Sequence, residues 1–488
     1  MERVAGEDAV FLLRETAAAP QHLSTLQIYD PSTAPGGKVS YSDLLAHIDS
    51  RLHLFPRSRQ KLVHVPMSLD LPYWLEDGEF DLEFHVRHLA LPEPGDWHQL
   101  CMLVSRLHSR PLDINRPLWE MYVIEGLSNV SGLPKGSFAI LTKVHTSALG
   151  EERRRRSKAS RFRPLQDAIL DDSPEPANLA PNKPWLPEDP PLTVELLGRA
   201  WLHNITQPFK IMRMVGETVP DIAKLVSRVR QGTWRRNRAV PRTRFNVQIS
   251  PHRVIDGAAF DLKTLSEIKN VVDGATVNDV VLSICGGAMR KYLRAKAELP
   301  RQPMLALTPV KIAALGGRIE VAPMAVTLAT NVEDALDRLE AVRDATRSSG
   351  RLDRAIAAHI MTDFTHHAPA MTAALGSRAM AGLGFVNRVN PLFNCTVANV
   401  PGPQVPLYLC GARLVAIHGI GALSDGAGIS FSAKSYAGEL TITLVADRKM
   451  VPDPDFLAEC LEQSFADLKR ASAGRRRRRQ ATLTVASA

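Results

Sequence analysis

The chain has 488 residues and a mass of 53.7 kDa, with 45% hydrophobic, 23% charged and 6% aromatic residues, a globular composition long enough for two domains or one large one. Its formal charge of +9 comes from 60 Lys and Arg against 51 Asp and Glu, but the runs Arg153–Arg156 and Arg475–Arg479 hold nine of the positive charges, and without them 51 faces 51. The basicity is therefore local, which argues against a nucleic-acid-binding body. Five scattered cysteines (Cys101, Cys285, Cys395, Cys410, Cys460) with no C-x-x-C pair argue against a disulfide framework and fit a reducing compartment.

The opening segment, MERVAGEDAVFLLRET, lacks the basic region, apolar run and small-residue cleavage site of a signal peptide. Further on, LWEMYVIEG (Leu118–Gly126) and SFAILTKVH (Ser137–His145) are β-rich runs either side of the turn-forming LSNVSGLPKG, and predict an antiparallel hairpin or neighbouring strands. Folding that pair about its loop brings Trp119 near Lys143–His145. Glu151–Pro164 has no apolar stripe at helical spacing and reads as a solvated loop. Seven prolines between Ser173 and Pro191 mark an extended linker.

Thr193–Gln231 reads as helical with breaks at Pro208 and Pro220. Two more helices are expected around Leu262–Val271 and Val277–Ala288, the second opened by the capping box Thr276–Asp279. GISFSAKSYAGELTITLVADR alternates on both sides of Tyr436-Ala437-Gly438-Glu439, a hairpin signal. A last amphipathic helix from Asp455 to about Arg470 precedes the arginine tail. The most apolar long stretch, Leu407–Leu423, is interrupted by Arg413 and His418, so membrane contact is expected to be peripheral. These features divide the chain into an N-terminal lobe (1–172), the linker (173–192), a C-terminal lobe (193–473) and a disordered basic tail (474–488).

The sequence contains no G-x-x-x-x-G-K-[ST], H-E-x-x-H, G-x-S-x-G or EF-hand loop. GIGALSDG (Gly419–Gly426) lacks a dinucleotide loop's third glycine and precedes a strand. No spacing among the 15 histidines supports a metal site.

Several ordered segments carry a family resemblance: PLDINRPLWEMYVIEGL (Pro111–Leu127), KVHTSALG from Lys143, TVNDVVLSICGGAMRKYL (Thr276–Leu293), VANVPGPQVPLYLCGARL (Val397–Leu414) and LSDGAGISFSAKSYAGELTITLVADRKMVPD, together with AGEDAVFLLRET and FDLEFHVRHLALPEPGD (Phe80–Asp96). Together they resemble the bacterial wax ester synthase/diacylglycerol acyltransferase family over nearly the whole chain. The resemblance implies an α/β fold of two lobes, like the chloramphenicol acetyltransferase and condensation-domain group, with mixed sheets and a channel between the lobes. It implies transfer of a fatty acyl group from acyl-CoA to diacylglycerol or a long-chain alcohol, with no metal or other cofactor. An alcohol is a poor nucleophile near neutral pH, so such a site needs a base to take its proton and a donor for the oxyanion.

One motif departs from the family. Where K-x-H-H-x-x-x-D-G is expected, Lys143 and His145 match, but Thr146 stands at the second histidine, the family's base, and Gly150 at the aspartate. A threonine hydroxyl is no base at neutral pH. Three readings follow: His145 itself acts as base, the chain keeps the fold and binds acyl-CoA or lipid without transfer, or 146–163 is a locally shifted reading of the gene. The resemblance also gives substrate-channel roles to Pro117, Trp119, Asn278, Asp279, Asn399, Pro401 and Gly402. Locally these residues read as packing (Pro117, Trp119), a helix cap (Asn278, Asp279) and a rigid turn (Asn399–Gly402). His366-His367, the adjacent histidine pair, has no following D-G and reads as structural. The C-terminal arginines suit an anionic membrane or lipid-droplet surface, and a cytoplasmic location is expected.

Overall fold

The computed structural model describes residues 1–150, 164–171, 191–199, 201, 240–313, 319–348 and 391–486. In the first half lie strands β1 (Glu2–Arg3), β2 (His22–Asp30), β3 (Gln60–Val63), β4 (Tyr73–Glu76), β5 (Val86–Ala90), β6 (Trp119–Glu125) and β7 (Phe138–His145). In the second half lie β8 (Arg253–Asp261), β9 (Leu305–Ala313), β10 (Ile319–Thr327), β11 (Cys395–Pro401), β12 (Tyr408–Leu409), β13 (Ala412–Ile420), β14 (Ile429–Tyr436) and β15 (Glu439–Asp447). They form two mixed six-stranded sheets, ordered β12-β13-β2-β7-β6-β5 and β10-β9-β11-β14-β15-β8, plus a small sheet β1-β4-β3. This is the mixed α/β architecture expected.

Both expected hairpins are present. β6 and β7 pair antiparallel with Trp119 opposite Val144, and all eight residues of β7 are buried, as in a central strand covered on both faces. β14 and β15 pair with Tyr436 opposite Glu439; the two turn residues, Ala437 and Gly438, both have positive φ, 45° and 90°, which matches the right-handed strand twist. The Val277–Ala295 helix opens with the complete capping box: the Thr276 side chain accepts from the Asp279 amide, and the Asp279 carboxylate accepts from Thr276 N–H.

Each face of the first sheet has its own core. Leu26, Ile28 and Leu141 join Ile255, Phe431 and Ile442 of the second sheet in one apolar cluster, whereas Tyr29, Ile140, Val144 and Trp119 pack into another on the opposite face. The Trp97–Ser109 helix is sandwiched into the first cluster through Leu100, Val104 and Leu107. Its Trp97 indole donates 2.8 Å to Asp256 of β8.

Two features differ from the chain-order reading. The first sheet is completed by β12 and β13, from residues 408–420, so a boundary at 173–192 does not separate the two sheets; nearly all of that linker, like His366-His367, lies outside the described residues. β13 runs antiparallel to β2, with Ile420 opposite Ser24. The final helix also spans Pro454–Ala486, continuing through the arginine run expected to be disordered. Arginine is a good helix former, and Arg475 and Arg476 pair with Glu340 and Glu267, which ties the run to the body. Among the described residues no helix is long and apolar enough to cross a membrane. All five cysteines are free.

Candidate active site

β7 ends on the divergent motif. Lys143 and His145 share one face of the strand, because side chains alternate, and the antiparallel register sets Ser24 opposite Lys143 and His22 opposite His145. Glu120 is the partner of Lys143 on the other side. The result is a polar strip across three central strands. Lys143 is completely buried; its ammonium donates to Leu107 O at 3.1 Å and Arg110 O at 2.5 Å, and lies 3.4 Å from Glu120 Oε2. It thus closes the C-terminus of the Trp97–Ser109 helix, where a cation opposes the helix dipole. Burial lowers its pKa from the usual value, and Glu120 pulls it back up.

Beside it, His108 Nδ1 sits 2.8 Å from Ser24 Oγ and the His22 imidazole 2.8 Å from His108 O. Burial, with the Lys143 and Arg253 charges nearby, pushes the His108 pKa down to about 3. Burial also pushes His22 well down, helped by His108 and Lys143. Both are therefore neutral at physiological pH.

His145 is 1% exposed and caps a short 3₁₀ turn, Thr146–Leu149. Its Nδ1 accepts the Ser147 backbone N–H at 3.1 Å and lies 2.6 Å from Ser147 Oγ. A backbone N–H can only donate, so Nδ1 carries the lone pair and the neutral ring has its proton on Nε2. Nε2 faces Glu15 Oε2 at 3.3 Å, an ion-pair contact that lacks hydrogen-bond alignment. Glu15 follows the Gly6–Arg14 helix, and its other oxygen accepts from Gln21 N at 3.2 Å.

Thr146 gives both donors to one carbonyl: its amide reaches Gln21 O at 2.9 Å and its hydroxyl at 2.8 Å. Thr146 is thus a buried backbone clamp. At Gly150, a Cβ would fall 1.8 Å from Asp8 Oδ2 and 2.3 Å from its carboxyl carbon. The Asp8 carboxylate, itself 3% exposed, fills the volume a side chain at 150 would enter.

The remaining candidate residues lie elsewhere. Trp119 does not face His145. Its register partner Val144 shares its face, and His145 points to the other. The Trp119 ring stacks 4.6 Å from His85 and its indole N–H donates to Ser58 O at 2.7 Å, while Pro117, also buried, accepts the Trp119 amide at 2.8 Å. These are packing positions. Asn278, at the start of its helix, accepts from Asn399 Nδ2 at 3.3 Å, which joins two of the sequence segments. Asp279, besides its cap, accepts from Thr346 Oγ1 at 2.8 Å. Pro401 ends β11 opposite Ser435, and Gly402 donates to Ser435 Oγ at 3.2 Å. A Cβ on Gly402 would lie 2.2 Å from Ser435 O, so only glycine allows this approach. Among the described residues no cluster of three or more His, Cys, Asp or Glu could hold a metal ion. Sequence reasoning missed Glu15, Ser147, Gln21 and Asp8.

The family model for the wax ester synthase/diacylglycerol acyltransferase catalytic domain matches residues 4–281, and that for the WS/DGAT C-terminal domain matches residues 320–469. The chain belongs to the wax ester synthase/diacylglycerol acyltransferase family. A Mycobacterium tuberculosis protein named as a probable diacylglycerol O-acyltransferase, tgs2, is 29% identical over 483 residues, covering 96% of this chain and 99% of its own. The solved wax ester synthase/diacylglycerol acyltransferase from Marinobacter aquaeolei VT8 is 25% identical with a TM-score of 0.63, over 97% of this chain and 100% of that one. The starter condensation domain of rhizomide synthetase, 12% identical with a TM-score of 0.50 over 97% of this chain and 94% of its own, shares the fold. By family the chain is an acyltransferase.

Proposed function

We propose that the chain transfers a fatty acyl group from acyl-CoA to the hydroxyl of diacylglycerol, giving triacylglycerol, or to a long-chain alcohol, giving a wax ester, with His145 as general base and no metal or other cofactor. The observation that carries this is the state of the imidazole: Nδ1 is held as an acceptor by Ser147, and Glu15 sits at Nε2. The lone pair on Nδ1, once it gives up the Ser147 amide, takes the alcohol's proton, and a carboxylate beside the far nitrogen stabilises the imidazolium that results. Asn278 and Asn399, joined by a hydrogen bond, and Asp279, Pro401 and Gly402 beside them, are proposed to shape the acyl-CoA channel. Pro117 and Trp119 support the sheet behind it.

A second reading, an acyl-CoA or lipid-binding member without transfer, is favoured by one observation: the Thr146 hydroxyl is committed to Gln21 O and offers no base. Labelled acyl-CoA and diacylglycerol separate the two. Turnover that His145→Ala abolishes supports the enzyme; acyl-CoA binding without turnover in the parent supports the binding protein. We further propose a cytoplasmic protein that touches anionic membrane or lipid-droplet surfaces through the basic end of its last helix.

A further inference from the structure

Ser147 enters the base role proposed for His145 only through its amide, yet its hydroxyl oxygen lies 2.6 Å from His145 Nδ1, closer than that amide nitrogen at 3.1 Å. On the far side of the ring, Glu15 Oε2 stands 3.3 Å from Nε2. A hydroxyl, an imidazole and a carboxylate in series are the components of an activated nucleophile: the ring takes the hydroxyl proton, and the nearby carboxylate compensates the charged ring. Two separate stretches build it: Glu15 follows the first helix, while His145 ends β7 and Ser147 lies in the turn directly after it. Ser147 and His145 are 2% and 1% exposed, so bulk water is kept from the pair.

We infer that Ser147 is a covalent catalytic residue, and that Ser147, His145 and Glu15 form an acyl-transfer triad replacing the missing second histidine. The inference rests on the acyl-transfer reading and deepens it. In the first half-reaction Ser147 Oγ attacks the thioester carbonyl carbon while its proton passes to His145 Nδ1, which gives up the Ser147 amide as it does so. The tetrahedral intermediate collapses, the C–S bond breaks, and the CoA thiolate leaves with the proton from Nδ1. An O-acyl serine ester remains. In the second half the acceptor hydroxyl attacks that ester, its proton passes to Nδ1, and Ser147 Oγ recovers the proton as it leaves. Glu15 is a positioning residue throughout, facing Nε2.

The test is acid quenching of the full chain with oleoyl-CoA alone, followed by intact mass and peptide mapping, alongside triacylglycerol formation with dioleoylglycerol. The expected result is an oleoyl adduct on the peptide carrying Ser147, absent in Ser147→Ala and formed at least tenfold more slowly in Glu15→Gln. Ser147→Cys keeps the volume and should still be acylated, now as a thioester that neutral hydroxylamine cleaves. That behaviour separates a nucleophile from a serine that only satisfies the imidazole. Triacylglycerol formation without an adduct, or an adduct unchanged in Ser147→Ala, overturns the triad and leaves acyl transfer standing. Absence of both adduct and product overturns the two together. An adduct that dioleoylglycerol does not discharge supports the triad and rejects diacylglycerol as the acceptor.

Discussion

Restoring the family's aspartate at Gly150 should damage this protein. A Cβ there would lie 1.8 Å from Asp8 Oδ2 and 2.5 Å from Oδ1, so the Asp8 side chain must turn away in a region where it is 3% exposed. Overpacking of this kind costs about 1–3 kcal/mol. The added carboxylate then lies close to the first, and two like charges about 4 Å apart at an effective dielectric near 20 repel by about 4 kcal/mol. Gly150→Asp should therefore lose about 5–7 kcal/mol at neutral pH, and Gly150→Ala only the packing part. Urea denaturation followed by circular dichroism measures both. Asp8→Ala combined with Gly150→Asp should recover most of the loss, a coupling of at least about 2 kcal/mol in a double-mutant cycle. Gly150→Asp as stable as the parent, or no coupling to Asp8, refutes the steric and electrostatic account. The same geometry means that Thr146→His with Gly150→Asp is no simple repair unless Asp8 is changed as well.

Lys143→Ala should cost about 3 kcal/mol or more in the same urea experiment, because it takes the buried cation from Glu120, leaving that carboxylate with Tyr122 and the half-exposed Arg87, and removes the ammonium donor from two helix-end carbonyls. His418, buried against Thr443 with its pKa pushed down to about 4 from 6.5, makes the protein acid-labile. Its folded-state pKa lies below its unfolded value, so the stability it contributes is complete above pH 6.5 and lost as pH falls towards 4, about 3 kcal/mol in all. His418→Gln should flatten the denaturation midpoint over that window by a comparable amount; an unchanged slope would reject it. Removing residues 474–488 should weaken binding to anionic liposomes at low salt by about 1 kcal/mol for each basic residue lost from the surface, and undiminished sedimentation with liposomes would reject the proposed contact.

Local signals were readable because each has a short-range physical cause. Alternation on either side of Ala437-Gly438 specifies β14 and β15, and Thr276 with Asp279 three residues on specifies where its helix starts. The register that brings Trp119 opposite Val144 was within reach too. Its parity, which turns Trp119 away from His145, follows from the two-residue repeat once that register is known. Nothing local marks Glu15 or Asp8 as neighbours of residues 145–150, because only the completed sheet and the docked first helix bring them together. The strands at 408–420 were hidden for the same reason: a buried apolar strand carries no label for the sheet it joins. A run of arginines carries no local sign of its partners either: Arg475 and Arg476 pair with Glu340 and Glu267, more than a hundred residues away in the chain.

The late arrival of β13 constrains how the molecule comes into being. β2 keeps one backbone edge unpaired until residues near 420 have been synthesised, and the Thr33 hydroxyl meets its partner, Gly411 O, 378 residues further along the chain. During synthesis an open edge of a largely apolar sheet is exposed for most of the chain's length, a state prone to pairing with other strands. Contacts so distant in sequence also slow the closing step. A fragment ending at the proline-rich linker should therefore be aggregation-prone when expressed alone, and supplying residues 240–488 in trans should improve its solubility by contributing the missing strand.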